Sequence, residues 1–277
     1  MEAGTPRATG DGLPDGLGQS LRGTAGDIAA VLHGVSDTAV PVPGSEWTLG
    51  EAAAHLAQAN ELMADLAAGR ERPYGAGTPQ SLAAANARAL ASFGERRAEP
   101  LAALIVEQTE RFLEAQARAV ADGAADRTLR TPLGPLDRPQ LASYLLTHML
   151  GHGHDLARAV GRPSMIDRVR VGLCLPFLRA AMPRVADAGA AAGLTARYAV
   201  RLRGGSAFGV TFTDGAVEVT PEPPDRPDCT LLVEPVTFLL MALGRRDRWG
   251  AVLRGGVVAW GRRPWLGPRF PTLFTAP

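Results

Sequence analysis

Apolar residues recur at helical spacing over residues 21–33, which predicts a first helix there. Pro41 and Pro43 then interrupt the chain. The next segment reads Ser45-Glu46-Trp47-Thr48-Leu49-Gly50-Glu51. Thr48 and Glu51 have the spacing of a capping box, and Trp47 precedes the cap where a stapling residue sits. A helix is therefore expected over residues 49–68, followed by a loop over 69–79. Helical periodicity resumes over 80–93 and 100–121. Residues 122–138 contain Gly and Pro and read as a loop, with a short hairpin around Gly134. A long helix is expected over 139–160, stopped by Gly161 and Pro163. Several long helices with apolar stripes imply a four-helix bundle.

Beyond Arg162 the period changes. Residues 165–192 are again helical, but Tyr198-Ala199-Val200-Arg201-Leu202-Arg203 alternates apolar and charged. Residues 208–213 and 217–220 alternate on either side of Thr213-Asp214-Gly215, a hairpin signal. Residues 228–233 read as a fourth strand, 236–243 and 247–253 as short helices, and 257–260 as a fifth strand. The expected architecture is a bundle followed by a small α+β domain with an antiparallel sheet. The expected divisions are an unstructured, Gly- and Pro-rich tail over 1–18, the bundle over 19–163 and the α+β domain over 164–277.

Composition narrows the chemistry. At 277 residues, with 46% hydrophobic and 21% charged, the chain has ample material for two cores. Apolar runs fall short of the ~18–20 residues of a membrane span, and no secretory signal is visible, so no membrane partner is expected. Two cysteines, Cys174 and Cys229, do not make a disulfide framework, which points to a reducing cytoplasm. All 29 basic residues are arginine. With much Ala and Gly, this has the compositional bias of a high-GC genome such as an actinobacterium's. It also removes lysine Schiff-base chemistry. Up to Ser164 there are 14 arginines against 19 acids, and beyond it 15 against 9, so the parts carry about −5 and +6. Opposite charges favour docking of the parts or an anionic ligand held between them. Neither part has the basic, aromatic character of a nucleic-acid partner.

Five histidines are present. His148 and His152 lie four apart on the predicted last bundle helix, so their rings share one face about 6 Å apart. They sit in the largely apolar stretch Tyr144-Leu145-Leu146-Thr147-His148-Met149-Leu150-Gly151-His152, where unpartnered imidazoles are costly. His55 lies mid-helix among alanines, in Ala52-Ala53-Ala54-His55-Leu56-Ala57. Three imidazoles from two helices make a three-ligand site with an open position, the pattern of catalytic zinc. Zinc is the first candidate, although Ni, Cu and Fe also accept imidazole. Asp155, three residues after His152, is a candidate to orient that ring, or equally an ion-pair partner of Arg158 or Arg162. His154 points about 240° away from His148 on the helix and is set aside. His33 falls at a helix end, where a histidine interacts with the helix dipole.

Trp47-Thr48-Leu49-Gly50-Glu51-Ala52-Ala53-Ala54-His55-Leu56 is similar to the W-T…H-L signature of the mycothiol-dependent maleylpyruvate isomerase and DinB-like superfamily. His148-Met149-Leu150-Gly151-His152-Gly153-His154-Asp155-Leu156-Ala157-Arg158-Ala159 resembles its second signature, usually E-L-x-x-H-G-W-D-L-A-x-A. The resemblance implies a DinB-like bundle, with His55, His148 and His152 in the metal-ligand positions. Two positions depart from it: the isomerases carry Glu where this chain has His148, and usually Trp where it has His154. An all-histidine triad resembles the DinB-like thiol transferases instead. Residues 228–258, through Asp228-Cys229-Thr230-Leu231-Leu232-Val233 and Gly255-Gly256-Val257-Val258, are similar to a sterol-carrier-protein-2-like (SCP2-like) domain.

The resemblance implies a divalent metal and mycothiol as thiol cosubstrate. A neutral triad leaves the metal charge uncompensated and favours a thiolate as fourth ligand. The leading expectation is a thiol S-transferase acting on an electrophilic small molecule. The alternatives are a maleylpyruvate-type cis–trans isomerase, a lipid- or ligand-binding module, and a metal-bound regulator that binds a protein. A polar thiol conjugate needs hydrogen-bond donors, and Arg201 and Arg203 are candidates, against the plainer reading of a solvated strand face. Cys174, Cys229, Trp249, Trp260 and Trp265 are expected to be packing residues. Monomer and homodimer both remain open.

Overall fold

The computed structural model describes residues 12–72, 74–75 and 81–275. Of the stretch read as an unstructured tail, residues 1–11 lie outside the described residues. The rest is not tail-like: Leu13 and Leu17 are buried and the first helix starts at Leu17. Apolar burial by these two leucines outweighs the surrounding Gly and Pro. The chain forms two compact units that divide between Ile166 and Asp167.

In the first unit, α1 (Leu17–Leu32), α2 (Leu49–Ala67), α4 (Ala98–Ala121) and α5 (Arg138–Ala159) form the bundle. α1 and α2 each pack against both α4 and α5, while α3 (Leu82–Ser92) rests on α2. The core is filled by Leu21, Ile28, Leu56, Leu101, Ile105, Phe112, Leu141, Leu145 and Met149. A hairpin of β1 (Leu129–Thr131) and β2 (Gly134–Leu136) joins α4 to α5.

Two capping boxes fix the starts of the helices that matter most. Thr48 Oγ1 accepts from the Glu51 amide, and the Glu51 carboxylate accepts from the Thr48 amide at 2.8 Å. The Thr48 amide and hydroxyl, both donating to that carboxylate, hold the Glu51 carboxyl below its ordinary range. Asp137 and Gln140 make the same reciprocal pair at α5. The end of α2 meets the start of α5, where the buried Arg138 guanidinium donates to the Ala67 carbonyl at 2.9 Å and to Gln116 Oε1 at 2.7 Å. The two helices therefore run side by side in opposite directions.

The second unit holds a five-stranded sheet in the order β5-β4-β3-β6-β7. Its strands are β3 (Ala196–Leu202), β4 (Ala207–Thr213), β5 (Ala216–Thr220), β6 (Cys229–Val233) and β7 (Val257–Trp260). Asp214 and Gly215 take φ of 49° and 86° at the β4–β5 turn, the positive values that an Asp-Gly hairpin supplies. The sheet is antiparallel except at β3–β6, which is parallel. Residues 221–228 return the chain past β4 and β3 so that β6 starts at the same end as β3. Tyr198, Val200, Phe208, Val210, Phe212 and Leu231 are buried on one face.

The helix expected over 165–192 is shorter and broken. α6 (Arg168–Ala181) gives way to a 3-10 turn at Met182–Arg184 and a single turn, α7 (Ala188–Ala191). Pro183 cannot donate an intrahelical bond, and Asp187 caps the new turn through the Ala190 amide. α8 (Pro235–Ala242) packs on α6, α9 (Arg248–Leu253) beside β7, and α10 (Leu266–Arg269) on β6 and β7. Cys174 and Cys229 are buried free thiols. The tryptophans are not packing residues: Trp249, Trp260 and Trp265 are exposed, because they lie on α9, the edge strand β7 and the turn into α10. No helix among the described residues is long and apolar enough to cross a membrane.

Candidate metal centre

His55 comes from the middle of α2, and His148 and His152 from successive turns of α5. The structure brings these three together. One ring nitrogen from each lies within 4.8 Å of the other two. His55 Nε2 and His148 Nε2 are 3.2 Å apart. Ring centroids are separated by 5.2 Å for His55–His148, 4.9 Å for His55–His152 and 4.5 Å for His148–His152.

The donor set fits a divalent ion. With Zn–N bonds of about 2.0–2.1 Å and tetrahedral angles, ligand nitrogens stand about 3.3 Å apart. The His55–His148 pair already has that separation, and the remaining ligand atoms lie within 4.8 Å. His55 is 6% exposed, and burial lowers its pKa to about 4. The ring is therefore neutral at ordinary pH, the state a metal ligand requires. His148 and His152 are only partly buried. His55, His148 and His152 are the histidines, cysteines and acids that cluster in this way among the described residues.

Ala52, Ala53 and Ala54 are fully buried, so neighbouring helices approach α2 closely. The residue the sequence reading undervalued is Trp47. Its ring lies 4.8 Å from that of His55 and stacks at 25° over His152, 6.1 Å away. It walls the histidines as well as preceding the cap. The signal was its place eight residues before His55, directly before a capping residue. Tyr144, one turn before His148, meets that ring edge-on at 6.3 Å. Burial pushes its hydroxyl well above the ordinary tyrosine range, so it stays neutral.

Asp155 is buried, and its Oδ2 stands 3.8 Å from His152 Nδ1. That is within ion-pair range but longer than a hydrogen bond. Arg162, one of the two arginines that could pair with Asp155, donates to the carbonyls of Ala30, Val31 and His33 at the end of α1. His154 points away and contacts Ser164 Oγ at 2.9 Å. His33 caps α1 and pairs with Glu99 at 3.0 Å.

Arg201 and Arg203 belong to the second unit. Arg201 is exposed on β3. Arg203 lies just past the strand end, and its guanidinium donates to the Gly255 carbonyl at 2.7 Å. That bond gives Arg203 a local structural role that strand alternation did not reveal.

Residues 20–157 match the family model described as the mycothiol maleylpyruvate isomerase N-terminal domain. Residues 178–258 match the SCP-2 sterol transfer family. Among curated proteins no sequence matches. Among solved structures, the mycothiol-dependent maleylpyruvate isomerase is similar at 17% identity and a TM-score of 0.50, covering 91% of this chain and 95% of that one. A histidine-to-alanine mutant of that enzyme is similar at 16% identity and a TM-score of 0.50, with the same coverage. The chain thus carries a mycothiol maleylpyruvate isomerase N-terminal domain followed by an SCP-2 sterol transfer domain.

Proposed function

We propose that this chain is a metal-dependent enzyme that uses mycothiol as cosubstrate and attaches it, through its sulfur, to an electrophilic carbon of a small molecule. The observation that carries the reading is the convergence of His55, His148 and His152 at ligand spacing in a domain of the mycothiol maleylpyruvate isomerase family. These three residues would hold the ion, with zinc the leading choice. When bound, the ion lowers the pKa of a coordinated thiol and holds its sulfur as thiolate at neutral pH.

The protein's own residues supply the rest. The neutral imidazoles bring no negative charge to compete with an anionic sulfur. Trp47 shields one side of the cluster from water, and Tyr144 closes the adjoining turn of α5. Asp155 biases the orientation of the His152 ring. In transfer, the thiol proton passes to solvent, a sulfur–carbon bond forms, and the leaving group departs with its electron pair.

Purified protein is expected to contain about one divalent ion per chain, and His55→Ala or His152→Ala to lose it. Incubation with mycothiol and candidate electrophiles is expected to yield a thiol adduct by mass spectrometry, absent with the variants. Protein that holds no metal and is indifferent to chelators overturns this reading.

A second reading is cis–trans isomerisation of a maleylpyruvate-type acid. The fold likeness to that isomerase over nearly the whole chain favours it. Its mark is regeneration of the thiol after rotation and elimination, so substoichiometric mycothiol suffices. Stoichiometric consumption distinguishes transfer.

A further inference from the structure

One helical turn beyond the histidines, the facing sides of α2 and α5 carry two further polar side chains. α2 and α5 are antiparallel, so a step from His55 toward the end of α2 is matched by a step from His148 toward the start of α5. The residues reached are Gln58, three after His55, and Tyr144, four before His148. Positions three and four apart share a helix face.

Gln58 is bonded by only half of its amide. Nε2 donates to the Ala89 carbonyl of α3 at 3.0 Å, which fixes the side chain. Oε1 is shielded from solvent yet accepts no hydrogen bond among the described residues. A shielded acceptor without a donor is costly, and native proteins rarely leave one unless something else supplies the donor. Asn60 also leaves an oxygen without a donor, but its amide is turned toward Thr109 on α4, a different face of α2. Gln58 alone of these two lies on the histidine side.

We propose that Gln58 is a specificity-determining residue of the site: its Oε1 accepts a hydrogen bond from an N–H or O–H a few bonds from the sulfur of the thiol cosubstrate. The inference rests on the reading that a thiol binds at the histidines. It adds a substrate class, namely thiols with a hydrogen-bond donor near the sulfur, such as N-acylated aminothiols. The Nε2–Ala89 bond orients the amide with its oxygen free for that donor, and reversing the amide would break it.

The test compares two thiols that differ at one position, N-acetylcysteamine and 2-mercaptoethyl acetate, the second having an ester oxygen where the first has N–H. Each is titrated calorimetrically into the zinc-loaded full chain. The wild type is expected to bind the amide about tenfold more tightly, since a mismatched partner leaves a buried acceptor unpaired. Gln58→Leu is expected to bind the two equally while keeping its zinc and its affinity for the ester. Gln58→Met, closer in shape, replaces it if the leucine variant does not fold. Equal binding by the wild type, or a preference that survives in the variant, overturns the proposal. Failure of zinc-loaded wild type to bind either thiol overturns the thiol reading itself, and this proposal with it.

Discussion

His55 shows how burial prepares a side chain for one task and exposes the protein to one stress. Desolvation lowers its pKa from 6.5 to about 4. The folded chain therefore binds this proton less readily than the unfolded chain. The stabilising difference is fully present above pH 6.5 and is lost as pH falls toward 4. For a shift of that size the loss reaches about 3 kcal/mol. Urea denaturation of chelator-treated protein is expected to show stability declining over that interval, with a shallower decline in His55→Leu. A slope identical in the two proteins refutes the assignment. Asp155 belongs to the same scale. Its proposed role toward His152, 3.8 Å away, rests on charge, so Asp155→Asn is expected to weaken zinc binding by about tenfold in chelator competition, the low end for groups behind a ligand.

At the level of elements, α2 positions His55 only if its first turn is fixed. Thr48→Ala removes the acceptor for the Glu51 amide and is expected to cost about 1 kcal/mol in denaturant midpoint measurements. Gly50→Ala is expected to cost more, about 1–3 kcal/mol, because an added Cβ meets the Arg96 carbonyl oxygen at 2.8 Å, and backbone must move to admit it. The first of these contacts was legible in the sequence, because Thr48 and Glu51 lie within one turn. The equivalent box at Asp137 and Gln140 had the same spacing and went unread, since Pro139 drew the helix start to itself. Gly50 against Arg96 was not legible: the partner is distant in sequence, and nothing local marks it. The parallel β3–β6 pairing was hidden for the same reason, as alternation reports which face is buried but not which strand lies alongside. The histidines were legible as a set because each is polar within an apolar helix stripe, a local conflict that only a shared partner resolves. Trp47 at 4.8 Å from His55 was harder to see, because a stapling tryptophan and a site-lining one read alike.

On the scale of the molecule, the three candidate metal ligands lie in one of two units. All five histidines precede Ile166, where the first unit ends. The second unit keeps two cysteines, both buried, and burial pushes the Cys229 thiol up to about 11, so it is a poor thiolate ligand at neutral pH. The first unit has its own core, its own caps and all three candidate ligands. A fragment of residues 1–166 is therefore expected to fold, to show a cooperative thermal transition and to bind about one equivalent of zinc. A fragment of residues 167–277 is expected to bind none tightly. Its melting temperature should accordingly be indifferent to zinc, whereas that of the first fragment should rise with zinc concentration, as mass action requires for an ion that binds only the folded state. If the first fragment folds but its transition ignores zinc, the three histidines do not suffice as a site, and the ligand set must extend beyond the bundle.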